Sequence, residues 1–157
     1  MNRTYWDRIE TDLGPIFVLV DNGGRVKQLR FGGEHPVGQR NPGLCSDVCA
    51  QLTEYLGGKR TDFDLELKPI GTAFQQLVWQ TLTAIPYGEA CGYGELARRI
   101  GNPAAARAVG QATGANPIPI IIPCHRVIST DGSIGGYSGG LEIKRRLLAV
   151  ESIEIAA

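Results

Sequence analysis

The texture of this chain changes near Pro69, from strand-like segments with one helix among them to helices and glycine loops, and an architecture of one texture cannot accommodate both sides. Upstream, Pro15-Ile-Phe-Val-Leu-Val20 is a continuous apolar run, and Arg25-Val-Lys-Gln-Leu-Arg-Phe31 alternates with period two. Asp21-Asn-Gly-Gly24 between them has the residue types of a tight hairpin turn. A loop rich in Gly and Pro spans 32–43. Ser46 then caps a predicted helix with Val48, Leu52, Tyr55 and Leu56 on one face, ended by Gly57-Gly58. Thr61 to Leu67 alternates again, with Phe63, Leu65 and Leu67 on one side, and reads as a strand. Downstream, Thr72-Ala-Phe-Gln75 has the form of a capping box opening a helix that carries Phe74, Leu77, Val78, Leu82 and Ile85. Pro86-Tyr87-Gly88 stops it. A short helix is expected at Tyr93 to Ile100, ended by Gly101. Asn102 as N-cap and Pro103 as first residue begin another, roughly Ala104 to Thr113. Helix, glycine turn, helix is the spacing of a helix-turn-helix. The expected class is therefore α+β: a small sheet-plus-helix domain over residues 1–68, then a mostly helical domain over 69–157.

Composition narrows what such a chain can be. At 157 residues one domain or two small ones are expected, from a prior of about 150 residues per domain. Charged residues at 20% and hydrophobic ones at 43% exclude a disordered chain. No apolar run approaches the ~20 residues of a membrane span, and Met1 to Glu10 is too polar for a signal peptide. A cytoplasmic chain is expected, with Cys45, Cys49, Cys91 and Cys124 reduced. The 16 basic and 16 acidic residues cancel, so no global basic field points to nucleic acid.

The densest cluster of unusual residues is Asn116-Pro-Ile-Pro-Ile-Ile-Ile-Pro-Cys-His-Arg-Val127. Cys124 lies between a proline that restricts the backbone and a histidine, both in a setting that favours thiolate. Metal binding fits poorly, because there are two histidines and no Cys-x2-Cys pair. No metal and no cofactor is expected. Direct activation by His125 meets an objection, since neighbours in extended chain project apart. A bridging water removes it. From Leu96 to Thr130 there is no acidic residue, while Arg98, Arg99, Arg107 and Arg126 all fall there. Combined with a helix of small residues able to approach a groove, this window favours DNA as the partner.

These residues resemble the O6-alkylguanine-DNA alkyltransferases, which repair alkylated guanine by sacrificing themselves. Pro123-Cys-His-Arg-Val127 is similar to that family's active-site motif, with Asn116-Pro117 at the matching distance before it. Ala105-Ala-Arg-Ala-Val-Gly110 resembles its recognition helix, and Gly135-Gly-Tyr-Ser-Gly-Gly140 its pocket loop. The resemblance is close from about Gly71 to Glu151; the N-terminal half shares only a strand-rich outline, without the zinc ligands some relatives carry.

The resemblance implies a role for each residue. Cys124 would accept the alkyl group from O6-alkylguanine, and from O4-alkylthymine, once per molecule. His125 would deprotonate it through water, with Glu151 orienting the imidazole and Asn116 holding the network. Tyr93 would protonate N3 of the departing guanine. Arg107 would fill the stack where the damaged nucleotide flips out, with Ala105, Ala106 and Gly110 against the DNA. Tyr137, Ser138, Val127 and Gly135 would form the pocket. A monomer bound to double-stranded DNA through the minor groove is implied. Two rivals differ in class: a non-catalytic damage-binding relative, which would lack the cysteine, and a helix-turn-helix regulator, which leaves Cys124, His125 and Glu151 unexplained.

Overall fold

In the computed structural model, which describes residues 3–155, the chain is of mixed α+β class and divides into two compact units, Met1–Ile70 and Gly71–Ala157. The first begins with a strand the sequence reading passed over. β1 (Thr4–Thr11) pairs antiparallel with β2 (Gly14–Asp21), which pairs antiparallel with β3 (Val26–Phe31). The polar composition of β1 hides it: it lies between two partners, with β4 (Gln39–Arg40) parallel on its other side. Sheet order is β3-β2-β1-β4. At the expected hairpin, the Asp21 carboxylate accepts from the Gly23 and Arg25 amides at 2.9 and 3.0 Å. Gly38 is required before β4, because at φ +133° a Cβ would lie 2.4 Å from the Thr4 carbonyl oxygen.

Helix α1 (Pro42–Leu56) packs on β1 and β2, and its Val48, Leu52 and Tyr55 share a core with Ile16, Val18 and Val20. It starts four residues before the expected cap. Asn41 is the true N-cap, its side chain accepting from the Leu44 amide at 3.0 Å, with Pro42 as first residue. Ser46 sits inside the helix and donates to the Gly43 carbonyl. The expected strand at Thr61–Leu67 does not form. Phe63, Leu65 and Leu67 are indeed more buried than their neighbours, but only Leu67 bridges to β3, at Val26. Inward alternation anchors the segment, and a single bridge is too little pairing for a ladder.

The second unit opens with α2 (Ala73–Thr83), and both reciprocal hydrogen bonds of the Thr72–Gln75 capping box are present. Val78, Trp79 and Leu82 are buried; Leu77, expected on the same face, is 43% exposed. α3 (Tyr93–Ile100) ends at Gly101 in the left-handed conformation, φ +89°. Pro103–Ala105 then forms a 3-10 turn rather than the first turn of an α-helix, and α4 (Ala106–Gly114) follows. Trp79 crosses beneath, donating from Nε1 to the Ala112 carbonyl at 2.9 Å. A two-stranded parallel pair, β5 (Cys91–Gly92) with β6 (Val127–Ile128), was not foreseen. It ties the start of α3 to the residues after Cys124, and α5 (Leu141–Val150) completes the unit. Among the described residues no helix is long and apolar enough to cross a membrane.

Candidate active site

Three local features deliver Cys124 to its place. The apolar run before it cannot continue as a strand, because Ile120 adopts φ +73°, which costs a β-branched residue on the order of 1–3 kcal/mol. Asn116 holds the resulting turn from inside: its Nδ2 donates to the Ile122 carbonyl and its Oδ1 accepts from the Ile118 amide, both at 2.9 Å. Cys124, His125 and Arg126 then form a 3-10 turn rather than extended chain, with the His125 side chain paired to Glu151.

Cys124 lines a cavity of about 210 Å³ together with Tyr93, Gly110, Tyr137 and Ser138, all singled out from sequence. Thr113 and Gly114 complete the wall and were missed, together with Gly136, which belongs to the Gly135–Gly140 loop that the sequence did point to. Val127 and Gly135, expected in the wall, are not among the residues that line it. Val127 is fully buried in β6, and Gly135 backs onto Ser129. Gly110 admits the Tyr93 ring, since even a Cβ there would be 3.8 Å from it. Ala105 and Ala106 are half-buried outside the cavity, at the start of α4, and Arg107 beside them is exposed.

The thiol is not depressed as its neighbours suggested. Burial pushes the Cys124 pKa above its ordinary value, and hydrogen bonds from the Asn116 and Tyr137 side chains and the charge of Lys144 only partly pull it back. Cys124 therefore rests protonated and needs a base. Tyr93 is likewise held above its usual pKa, first by burial and then by its proximity to Cys124, so it keeps its proton.

Lys144 is the residue the sequence reading missed most completely. It is fully buried on α5, donating from Nζ to the Val127 carbonyl at 2.7 Å and the Gly136 carbonyl at 2.9 Å. Burial lowers its pKa to about 8, against the opposing pull of Cys124. A signal existed: Lys144, Leu147 and Leu148 share the inward face of α5 at helical spacing.

On the other side of the 3-10 turn, His125 Nε2 lies 2.6 Å from Glu151 Oε2, with both side chains inaccessible to solvent. The carboxylate also accepts from Arg126 Nε at 2.8 Å and Nη2 at 3.1 Å, and from the Gly88 amide at 3.0 Å. Burial alone would raise the Glu151 pKa, but the bonds from His125 and Arg126 prevail and hold it near 2. An ionised carboxylate can only accept, so Nε2 carries the imidazole proton and Nδ1 is the basic nitrogen. The cationic window read from sequence is correspondingly smaller on the surface. Arg126 is buried in this ion pair, and Arg98 and Arg99 both pair with Glu95. Among the described residues no cluster of His, Cys, Asp or Glu could hold a metal ion.

Fold and site together define a thiol protein: one buried cysteine opening on a cavity and backed by a His-Glu pair. The sequence profile described as 6-O-methylguanine DNA methyltransferase, DNA binding domain, matches residues 73–153. A methylated-DNA–protein-cysteine methyltransferase of Mycobacterium tuberculosis is 45% identical over 152 residues, covering 94% of this chain and 92% of that one. Its counterpart from Methanosarcina barkeri is 47% identical, with 94% and 96% covered. The crystal structure of the M. tuberculosis O6-methylguanine methyltransferase superposes with a TM-score of 0.87 at 43% identity, over 98% of this chain and 96% of that one. That of M. tuberculosis OGT in complex with DNA gives 0.87 at 45% identity, over 94% and 92%. The chain belongs to the 6-O-methylguanine DNA methyltransferase family.

Proposed function

We propose that Cys124 is the cysteine onto which this DNA repair protein, a methylated-DNA–protein-cysteine methyltransferase, transfers the alkyl group from O6-alkylguanine, and that it does so once. The observation that carries the reading is the Cys124 sulfur in the wall of a cavity shared with Tyr93 and Tyr137, on a turn whose next residue is paired with Glu151. As the sulfur attacks the alkyl carbon, the S–C bond forms and the C–O6 bond breaks. The thiol proton passes through a bridging water to His125 Nδ1, and Glu151 stabilises the imidazolium. Tyr93 gives its proton to N3 of the departing base and recovers one from water afterwards. The thioether product has no resolving thiol, so each molecule is consumed. O4-alkylthymine presents the same alkyl-oxygen bond and is taken as a second substrate.

DNA is held by a helix-turn-helix made of α3 and α4, within a C-terminal domain of residues 69–157 that follows the N-terminal domain of 1–68. Ala105, Ala106 and Gly110 offer no long side chain to read bases, which suits close approach to the minor groove by a monomer. Arg107, exposed at the start of α4, fills the stack left by the flipped nucleotide. The test uses duplex DNA carrying O6-methylguanine with a labelled methyl group. Wild type should become labelled, while Cys124→Ala should bind the same DNA and take no label. Labelling of Cys124→Ala would overturn the assignment.

A further inference from the structure

Arg126 carries a buried charge to which the transfer steps assign no task. Arg126 is 6% exposed, so it cannot serve the DNA surface its sequence position suggested. Its fork is instead used up inside the protein. Nε and Nη2 take the two oxygens of Glu151, and Nη1 donates to the Ile85 carbonyl at 2.6 Å. The guanidinium carbon stands 5.8 Å from the centre of the Tyr87 ring, and the Tyr87 hydroxyl donates to the Val150 carbonyl next to Glu151. Three pieces of backbone, after α2, around residue 87 and at the end of α5, thus fix one arginine against one carboxylate.

We propose that Arg126 is a positioning residue of the transfer reaction: it clamps the Glu151 carboxylate against His125 and offsets its charge, so that the imidazole rests as a neutral base. A lone carboxylate 2.6 Å away in a water-excluded site would favour the charged imidazole and leave less of the neutral form to take the Cys124 proton. With Arg126 on the same carboxylate, the pair is neutral until the proton arrives. The other charged or titratable groups facing His125 act the same way or weakly: Lys144 from α5 disfavours imidazolium, and Cys124 rests as thiol. Burial, countered by Glu151 and assisted by Arg126 and Lys144, leaves the His125 pKa below its ordinary value. The inference rests on the reading of His125 as the base.

Two variants in the intact, unalkylated protein test it: Arg126→Met, which removes the charge, and Arg126→Lys, which keeps the charge but not the fork. The readouts are the titration of the His125 ring proton by NMR and the pH profile of methyl transfer. The chain has two histidines, and His35, exposed in the first unit, is the reference signal that neither variant touches. Arg126→Met should raise the His125 midpoint by about one pH unit or more and slow transfer about tenfold below it, with recovery as pH rises through the new midpoint. Arg126→Lys should leave the midpoint within a few tenths of a unit and slow transfer equally at every pH. A folded Arg126→Met whose His125 midpoint stays put would overturn the proposal. Should that variant not fold, an Arg126→Lys midpoint raised by a full unit would overturn it as well. The two possible failures are separable. A midpoint that moves while transfer ignores pH removes His125 from the reaction, and Arg126 with it; an unmoved midpoint removes Arg126 alone.

Discussion

Replacing Glu151 by glutamine keeps the side chain's shape and removes the charge that His125 and Arg126 share. The magnitude follows from the shift of the carboxyl from an ordinary 4.5 to about 2. At about 1.36 kcal/mol for each tenfold change in proton affinity, that depression corresponds to about 3 kcal/mol of stability at pH 7. Truncating one partner of a buried ion pair costs about 3–5 kcal/mol, which agrees in size. Because the folded-state pKa is depressed, this contribution is complete above pH 4.5 and is lost as pH falls towards 2. Urea unfolding should be followed by the fluorescence of buried Trp79, with Trp6 replaced by phenylalanine so that only the unit containing Glu151 reports. With a slope of about 1–3 kcal/mol per molar, the midpoint of Glu151→Gln should lie about 1–3 M lower at pH 7. The gap should close between pH 4.5 and 2. A gap under about 1 kcal/mol at pH 7, or one that persists unchanged at pH 2, would mean that the charge of Glu151 does not hold this network together.

Lys144→Met removes a positive charge that lowers the Cys124 thiol pKa, so the pH midpoint for reaction of Cys124 with iodoacetamide should move up; an unmoved midpoint would show that the ammonium only ties the Gly136 loop. Gly110→Ala should raise stability by about 0.5–1 kcal/mol from helix propensity, since the added Cβ meets the Tyr93 ring at an ordinary 3.8 Å. The same methyl group narrows the cavity, so transfer should slow even as Tm rises; a full-rate variant would place the substrate elsewhere. Arg107→Ala should slow repair mainly on fully paired duplex, and less on single strands or mismatched lesions where unstacking costs less. Equal losses on all three substrates would make Arg107 a plain electrostatic contact.

What the sequence revealed divides along physical lines. Signals confined to a few adjacent residues were legible: the Thr72–Gln75 capping box, the Asp21 hairpin and the left-handed Gly101 are each decided within one turn of chain. Asn41-Pro42 was equally local and was passed over for Ser46, although an N-cap followed by proline at the first position is the stronger signal. Strand β1 was hidden because its stability comes from two neighbouring strands rather than from apolar alternation. The residues around Cys124 were legible as an unusual cluster, but the partner 26 positions on, Glu151, came only from the family resemblance. Nothing local distinguishes a clamped Arg126 from one facing phosphate. Burial settles it, and burial is a property of the packed unit.

Counting the methyl groups on the protein tests directly whether Cys124 alone accepts them, and accepts only one. Protein is incubated with excess O6-methylguanine duplex until transfer stops, then digested, and the peptides are weighed. Saturation is expected at one methyl per molecule, carried by the peptide containing Cys124, with Cys45, Cys49 and Cys91 unmodified. Burial raises all four thiols, with Asp7 adding to it at Cys45 and Cys49, so the distinction lies in position: Cys124 lines the cavity and the other three do not. Continued turnover, or a methyl group on any of those three, would contradict the assignment of Cys124.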